Sequence, residues 1–202
     1  MTEATGQRIL DTALELLIEQ GIRKTSMEEV AARAGVTRVT IYRHFHDKRE
    51  LVRAVFLGMV DGIEAVNVEF ADGRRWDISE YLDALGGYFR SLPHGNLAQR
   101  HEELSRVYPD VWDEFQKRRR AAMHKTFGLM LEVADSQGLV RDQLHRRVVE
   151  TYFQAAVINI MEHPALVSLN LSPAEIYSTA SSIFMHGILK DRCDDEAEPT
   201  RC

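Results

Sequence analysis

Apolar positions recur every three or four residues along most of this 202-residue chain. That spacing draws one stripe down a helix, and no segment shows the two-residue alternation of a strand. The pattern therefore predicts an all-α protein of about nine helices. Ile9, Leu10, Ala13, Leu14, Leu16 and Leu17 form the stripe of a first helix over 7–22, closed by Gly21. Ser26 followed by Glu29 has the form of a capping box, and Met27, Val30, Ala31 and Ala34 give the second helix its apolar face. Gly35 ends it. Thr37 caps a third helix over 38–45, and Asp47 caps a fourth that opens at Lys48 and runs through Leu51, Val55, Met59, Ile63 and Val66 to Phe70.

After a break over 71–77, Ser79 reads as a new cap for a helix carrying Tyr81, Leu82, Leu85, Tyr88 and Phe89, which ends at Pro93-His94-Gly95. A short charged helix follows over 97–108. Pro109 suits the first turn of a long one reaching Ser136, with Gly138 beyond its end. The last two helices are expected over 143–161, limited by Pro164, and from Ser172-Pro173 to Leu189.

The third helix is the most informative. At about 100° per residue, Ile41 and Phe45 fall together and face inward, leaving Val39, Thr40, Arg43 and His44 away from that seam and Tyr42 on its flank. Two buried anchors under a display of hydroxyls, guanidiniums, a phenol and an imidazole make poor core and a good DNA-reading surface. Arg38, Thr40 and Arg43 suit base edges, while Thr37, Tyr42, His44 and Lys48 suit phosphates. This is helix-turn-helix logic, in which the second helix of the motif enters the major groove.

The run A-x-x-A-G-V-T-x-x-T-I-Y-x-H-F-x-x-K-x-x-L over 31–51 resembles the DNA-binding signature of the TetR (tetracycline-repressor) family of bacterial transcription regulators. Residues 7–22 and Gly21 resemble that family's first helix. The resemblance is close over the first quarter of the chain and architectural beyond it. It implies a DNA-binding domain over 1–50 and a helical effector-binding and dimerisation domain over 51–190, while the lack of apolar residues after Lys190 marks 191–202 as a tail. The DNA-binding set is then Ser26, Thr37, Arg38, Val39, Thr40, Tyr42, Arg43, His44 and Lys48.

Net charge is −6, which at first argues against a nucleic-acid partner. Residues 1–57, however, hold 9 Lys and Arg against 8 Asp and Glu, while the remainder holds 16 against 23. The first-helix acids Asp11, Glu15 and Glu19 are expected away from the reading surface. Binding to double-stranded DNA should therefore depend strongly on salt.

Residues 58–140 are rich in aromatic side chains and methionine, a set that lines an apolar pocket or simply fills a core. The TetR resemblance implies a pocket for a small-molecule effector here. The candidates are Met59, Tyr88, Phe89, His101, Tyr108, Trp112, Phe115, His124 and Phe127. The final two helices are apolar over a wide arc, so a second copy is expected to cover them as a homodimer. Tyr152, Phe153, Ala156, Val157, Ile160, Ile176, Ala180, Ile183 and Phe184 are the candidate interface. Paired heads about 34–36 Å apart would read a palindromic operator.

The eight histidines are dispersed without metal-ligand spacing, and no catalytic constellation is present, so neither metal, cofactor nor enzymatic activity is expected. Cys193 and Cys202 fall in the acidic tail, which reads as disordered. No apolar run reaches the length of a membrane span, and a cytoplasmic location is expected. The reading is a ligand-responsive repressor; the alternative is a helix-turn-helix regulator with no small-molecule effector.

Overall fold

The computed structural model describes residues 2–71, 77–160, 169 and 171–189. Among these lie nine α-helices: α1 (Thr2–Gln20), α2 (Met27–Arg33), α3 (Arg38–His44), α4 (Lys48–Phe70), α5 (Ile78–Ser91), α6 (Leu97–Val107), α7 (Pro109–Ser136), α8 (Arg146–Ile160) and α9 (Pro173–Ile188). The protein is all-α. The nearest thing to a strand pairing among the described residues is one antiparallel bridge, Val140 to Leu189.

The caps explain where the helices of the head begin. Ser26 Oγ accepts from Glu29 N–H at 3.1 Å, Thr37 Oγ1 from Thr40 N–H at 3.1 Å, and Asp47 Oδ1 from Glu50 N–H at 2.7 Å. Each such cap is worth about 1 kcal/mol. The box expected at Ser26 is half made, because the Glu29 carboxylate accepts instead from Gln20 Nε2 at 2.7 Å. Gly35, with φ +64°, makes the turn between α2 and α3. Ile41 is fully buried and Phe45 nearly so, and they anchor α3 as its periodicity requires.

Elsewhere some boundaries differ from the sequence reading. α1 starts at Thr2, and α8 starts at Arg146 rather than near 143. α5 is capped by Asp77, not Ser79: Asp77 Oδ1 accepts from Ser79 N–H at 2.9 Å and Glu80 returns to the Asp77 N–H at 3.2 Å. α9 carries a full capping box between Ser172 and Glu175. The tail with Cys193 and Cys202, and also Met161 and Pro164, lies outside the described residues.

α4 packs on α7, α1 and α5; α7 also carries α6 and α8, and α9 lies on α5. One continuous apolar core runs from Ile9 in α1 to Leu189 after α9. The expected division at 50/51 falls within the first turn of α4. At the far end of that helix, three buried polar groups close on one another. Tyr81 Oη donates to Asn67 Oδ1 at 2.6 Å, and Thr126 Oγ1 lies 3.1 Å from the same oxygen. This knot ties α4, α5 and α7 together.

Candidate nucleic-acid interface and internal cavity

On α3, Val39 is 78% exposed beside the exposed Arg38 and Arg43, with Thr40 and Tyr42 half-buried. The Arg38 guanidinium lies over the Tyr42 ring, 5.4 Å from its centroid, and pairs with Glu28 of α2 at 3.2 Å. Thr37 and Thr40 share a hydroxyl hydrogen bond of 2.9 Å at the start of the helix. Ser26 is exposed at the start of α2. Glu19 of α1 holds Arg33 of α2 at 2.8 Å, with Glu15 3.6 Å away, so these acids are engaged between the two supporting helices.

Two expected phosphate donors are placed otherwise. His44 is half-buried, its ring stands 6.3 Å from that of Phe45, and its Nε2 is enclosed with no hydrogen-bond partner. A Cβ added to Gly6 of α1 would sit 3.4 Å from His44 Nδ1, so the imidazole fills space under α1 rather than facing outward. Lys48 is half-buried and donates to the Arg23 carbonyl at 3.3 Å, and burial lowers its pKa although Glu103 acts to raise it.

α4 and the turn after α1 are fastened to α6 and α7 by charged pairs and hydrogen bonds. Arg53 of α4 donates through Nε to Glu114 of α7 at 2.6 Å, and Arg49 pairs with Asp110. Arg118 reaches back to Asp61 at 2.8 Å and Glu64 at 2.6 Å. From α6, the Glu103 carboxylate accepts from the backbone N–H groups of Ile22 at 3.0 Å and Arg23 at 2.9 Å, with Arg100 paired to it at 2.9 Å. This contact needs Gly21: its φ is +94°, and a Cβ there would meet Arg100 at 2.3 Å. Burial pushes the Glu103 carboxyl up, but the two N–H donors and Arg100 more than offset this and hold its pKa below the usual range.

Between α4, α5, α6, α7 and α9 lies a cavity of about 120 Å³. Met59, Tyr88, Phe89, His101, Phe115 and Phe127 of the expected pocket set line it. Tyr108, Trp112 and His124 do not. Tyr108 sits at the junction of α6 and α7, Trp112 stands behind His101 with ring centroids 5.6 Å apart, and His124 is exposed on α7. Ile176, Ala180 and Phe184 line the cavity as well, although they were expected on the outer dimer face; Phe184 is 1% exposed within the subunit. Sequence reasoning also missed Arg119 and Tyr177, since neither looks like pocket material on its helix. Of the remaining dimer candidates, Tyr152 is 63% and Ile183 54% exposed, and Ala156 is exposed. The side chains of Phe153, Val157 and Ile160 lie outside the described residues.

His101 is 2% exposed, and neither ring nitrogen has a hydrogen-bond partner. The rings of Phe115 at 5.1 Å and Phe56 at 6.1 Å enclose it. Burial, and then the charge of Arg119, push its pKa down to about 3, so the imidazole is neutral at ordinary pH.

A capped helix-turn-helix with an exposed reading face, set on a helical bundle that holds an apolar cavity, defines an all-α DNA-binding regulator. Residues 9–55 match the family model of bacterial regulatory proteins of the tetR family. The chain is 45% identical over 86 residues to the transcriptional regulator SrpR of Pseudomonas putida, covering 41% of this chain and 40% of SrpR. It is 27% identical over 187 residues to AcrR of Shigella flexneri, covering 93% of this chain and 75% of AcrR. The match thus spans less than half of SrpR's length. Among solved structures, a TetR-family regulator from Agrobacterium tumefaciens superposes with a TM-score of 0.67 at 19% identity, over 94% of this chain and all of that one. SmeT in complex with triclosan gives 0.57 at 21% identity, over 94% and 93%. Over residues 9–55 the chain thus matches the TetR family, and its fold over most of its length is similar to that of TetR-family regulators.

Proposed function

We propose that the protein is a cytoplasmic repressor that binds a palindromic operator as a homodimer and releases it when a small apolar or amphipathic effector enters the cavity. The observation that carries the DNA role is the free face of α3, where an exposed Val39 is flanked by Arg38 and Arg43 over a well-anchored base. An exposed valine suits a thymine methyl, and the guanidiniums suit guanine edges or phosphates. The effector role is supported by the cavity, which touches α4, the helix that carries the head. SmeT, similar in fold, is a repressor of a multidrug efflux pump in Stenotrophomonas maltophilia and has been solved with triclosan.

The mechanism is a population shift. A ligand that fits the cavity better when α4 is tilted favours that conformation, and only this difference in affinity can move the heads. The α3 assignment is tested by Arg43→Ala and Tyr42→Phe with operator fragments selected from the source genome. Arg43→Ala should weaken binding by about tenfold or more, and lower the salt slope by about 0.9 where its guanidinium neutralises a phosphate, while Tyr42→Phe, which removes a neutral donor, should weaken binding with the slope unchanged. If neither affinity nor slope changes in either variant, α3 is not the reading surface.

A further inference from the structure

We propose that the cavity takes a compact, uncharged aromatic hydroxyl compound, a phenol in chemical class, with its oxygen hydrogen-bonded to His101. This rests on the effector reading above and narrows it. The lining is almost wholly apolar, and most of its polar side chains are already engaged. Tyr88 Oη donates to the Met59 carbonyl at 2.5 Å, Tyr177 Oη to the Leu82 carbonyl at 2.6 Å, and Ser181 Oγ to the Ser178 carbonyl at 3.0 Å. The Thr126 hydroxyl is held within the Asn67 knot. His101 differs. It lines the cavity with both nitrogens enclosed and unpartnered, and whichever carries the proton, the ring offers one donor and one acceptor. Buried polar atoms are normally satisfied, so an unsatisfied imidazole facing an internal space marks where a ligand's polar group belongs.

Charge and size narrow the class. Among the described residues the lining holds no Asp, Glu or Lys, and Arg119 is its one charged side chain, with its guanidinium 5.6 Å from the Phe115 ring centroid. A buried cationic ligand would find a like charge and no carboxylate there. A volume of about 120 Å³ matches one aromatic ring, since an apolar cavity of about 150 Å³ takes benzene. A hydroxyl on that ring can donate to or accept from the imidazole, and the apolar lining that includes Phe89, Phe115 and Phe127 receives the rest.

Calorimetry of the full chain with phenol, toluene and benzylammonium tests this. Toluene leaves water more readily than phenol, so the readout is the ratio of their affinities across variants. His101→Leu should lower the phenol-to-toluene ratio about tenfold, because toluene never uses the imidazole. His101→Gln, which keeps a donor and an acceptor, should restore most of it. Benzylammonium should not compete with phenol. An unchanged ratio in His101→Leu, or benzylammonium competing as well as phenol, overturns the assignment while leaving the cavity as a ligand site if toluene still binds. If none of the three probes binds, the effector reading falls with it.

Discussion

His101 shows how far one residue can depart from what its neighbours in sequence imply. It sits on a charged helix and is a pocket candidate only through the resemblance; in the fold it is enclosed by aromatic rings with its pKa pushed down to about 3. The consequence for stability follows in sign. The unfolded imidazole takes its proton near 6.5 and the folded one not until about 3, so across that window the unfolded state binds more protons and stability falls as pH falls. Between pH 7 and pH 5 this group alone should remove about 2 kcal/mol. Urea unfolding at both pH values should show that loss shrinking in His101→Leu; an equal loss in the variant means that other groups cause it. His44 carries the opposite lesson. Helical spacing placed it outward, but that spacing says nothing of α1, whose glycine at position 6 leaves room for the ring.

Among the elements, α2, α3 and α4 were legible because each helix start carries a side chain that bonds its own first turn, and such contacts are local in sequence. The Asp77 cap was missed although equally local, because Ser79 two residues later offered the same chemistry. The role of α9 was not legible. Its apolar residues occupy two faces, Ile176, Ala180 and Phe184 on one and Ile183 on another, and periodicity cannot say which one a partner covers. The contact from α6 to the α1–α2 turn was equally hidden, since Glu103 and Ile22 are far apart along the chain. It has a measurable weight. Glu103→Gln should cost about 1–2 kcal/mol through weakened charged hydrogen bonds, and the Ile22 and Arg23 amides should exchange about tenfold faster or more. Unchanged exchange at those two amides would show that the turn holds itself.

For the whole molecule, Val39 on α3 and Val68 on α4 are exposed apolar side chains set apart, while Val148 at 66%, Tyr152 at 63% and Ile183 at 54% lie on α8 and α9. A homodimer that covers this face should be broken by Ile183→Glu. Sedimentation of the variant should then show monomers, with operator affinity falling along with it; an unshifted dimer would put the interface elsewhere. The helices, α3 among them, could be read from the chain, and six of the nine pocket candidates do line the cavity; the rest of its wall could not be read, because five helices from distant parts of the sequence contribute to it. The knot of Asn67, Tyr81 and Thr126 bears on how such a molecule can move. It clamps α4 about 28 Å from Lys48, at 1.5 Å per residue, so a tilt that spares those bonds is a swing about a fixed fulcrum and not a slide. In the proposed mechanism a swing of about 5° would carry the head roughly 2.5 Å, so a change no larger than one side chain inside the cavity would be magnified at the far end of α4.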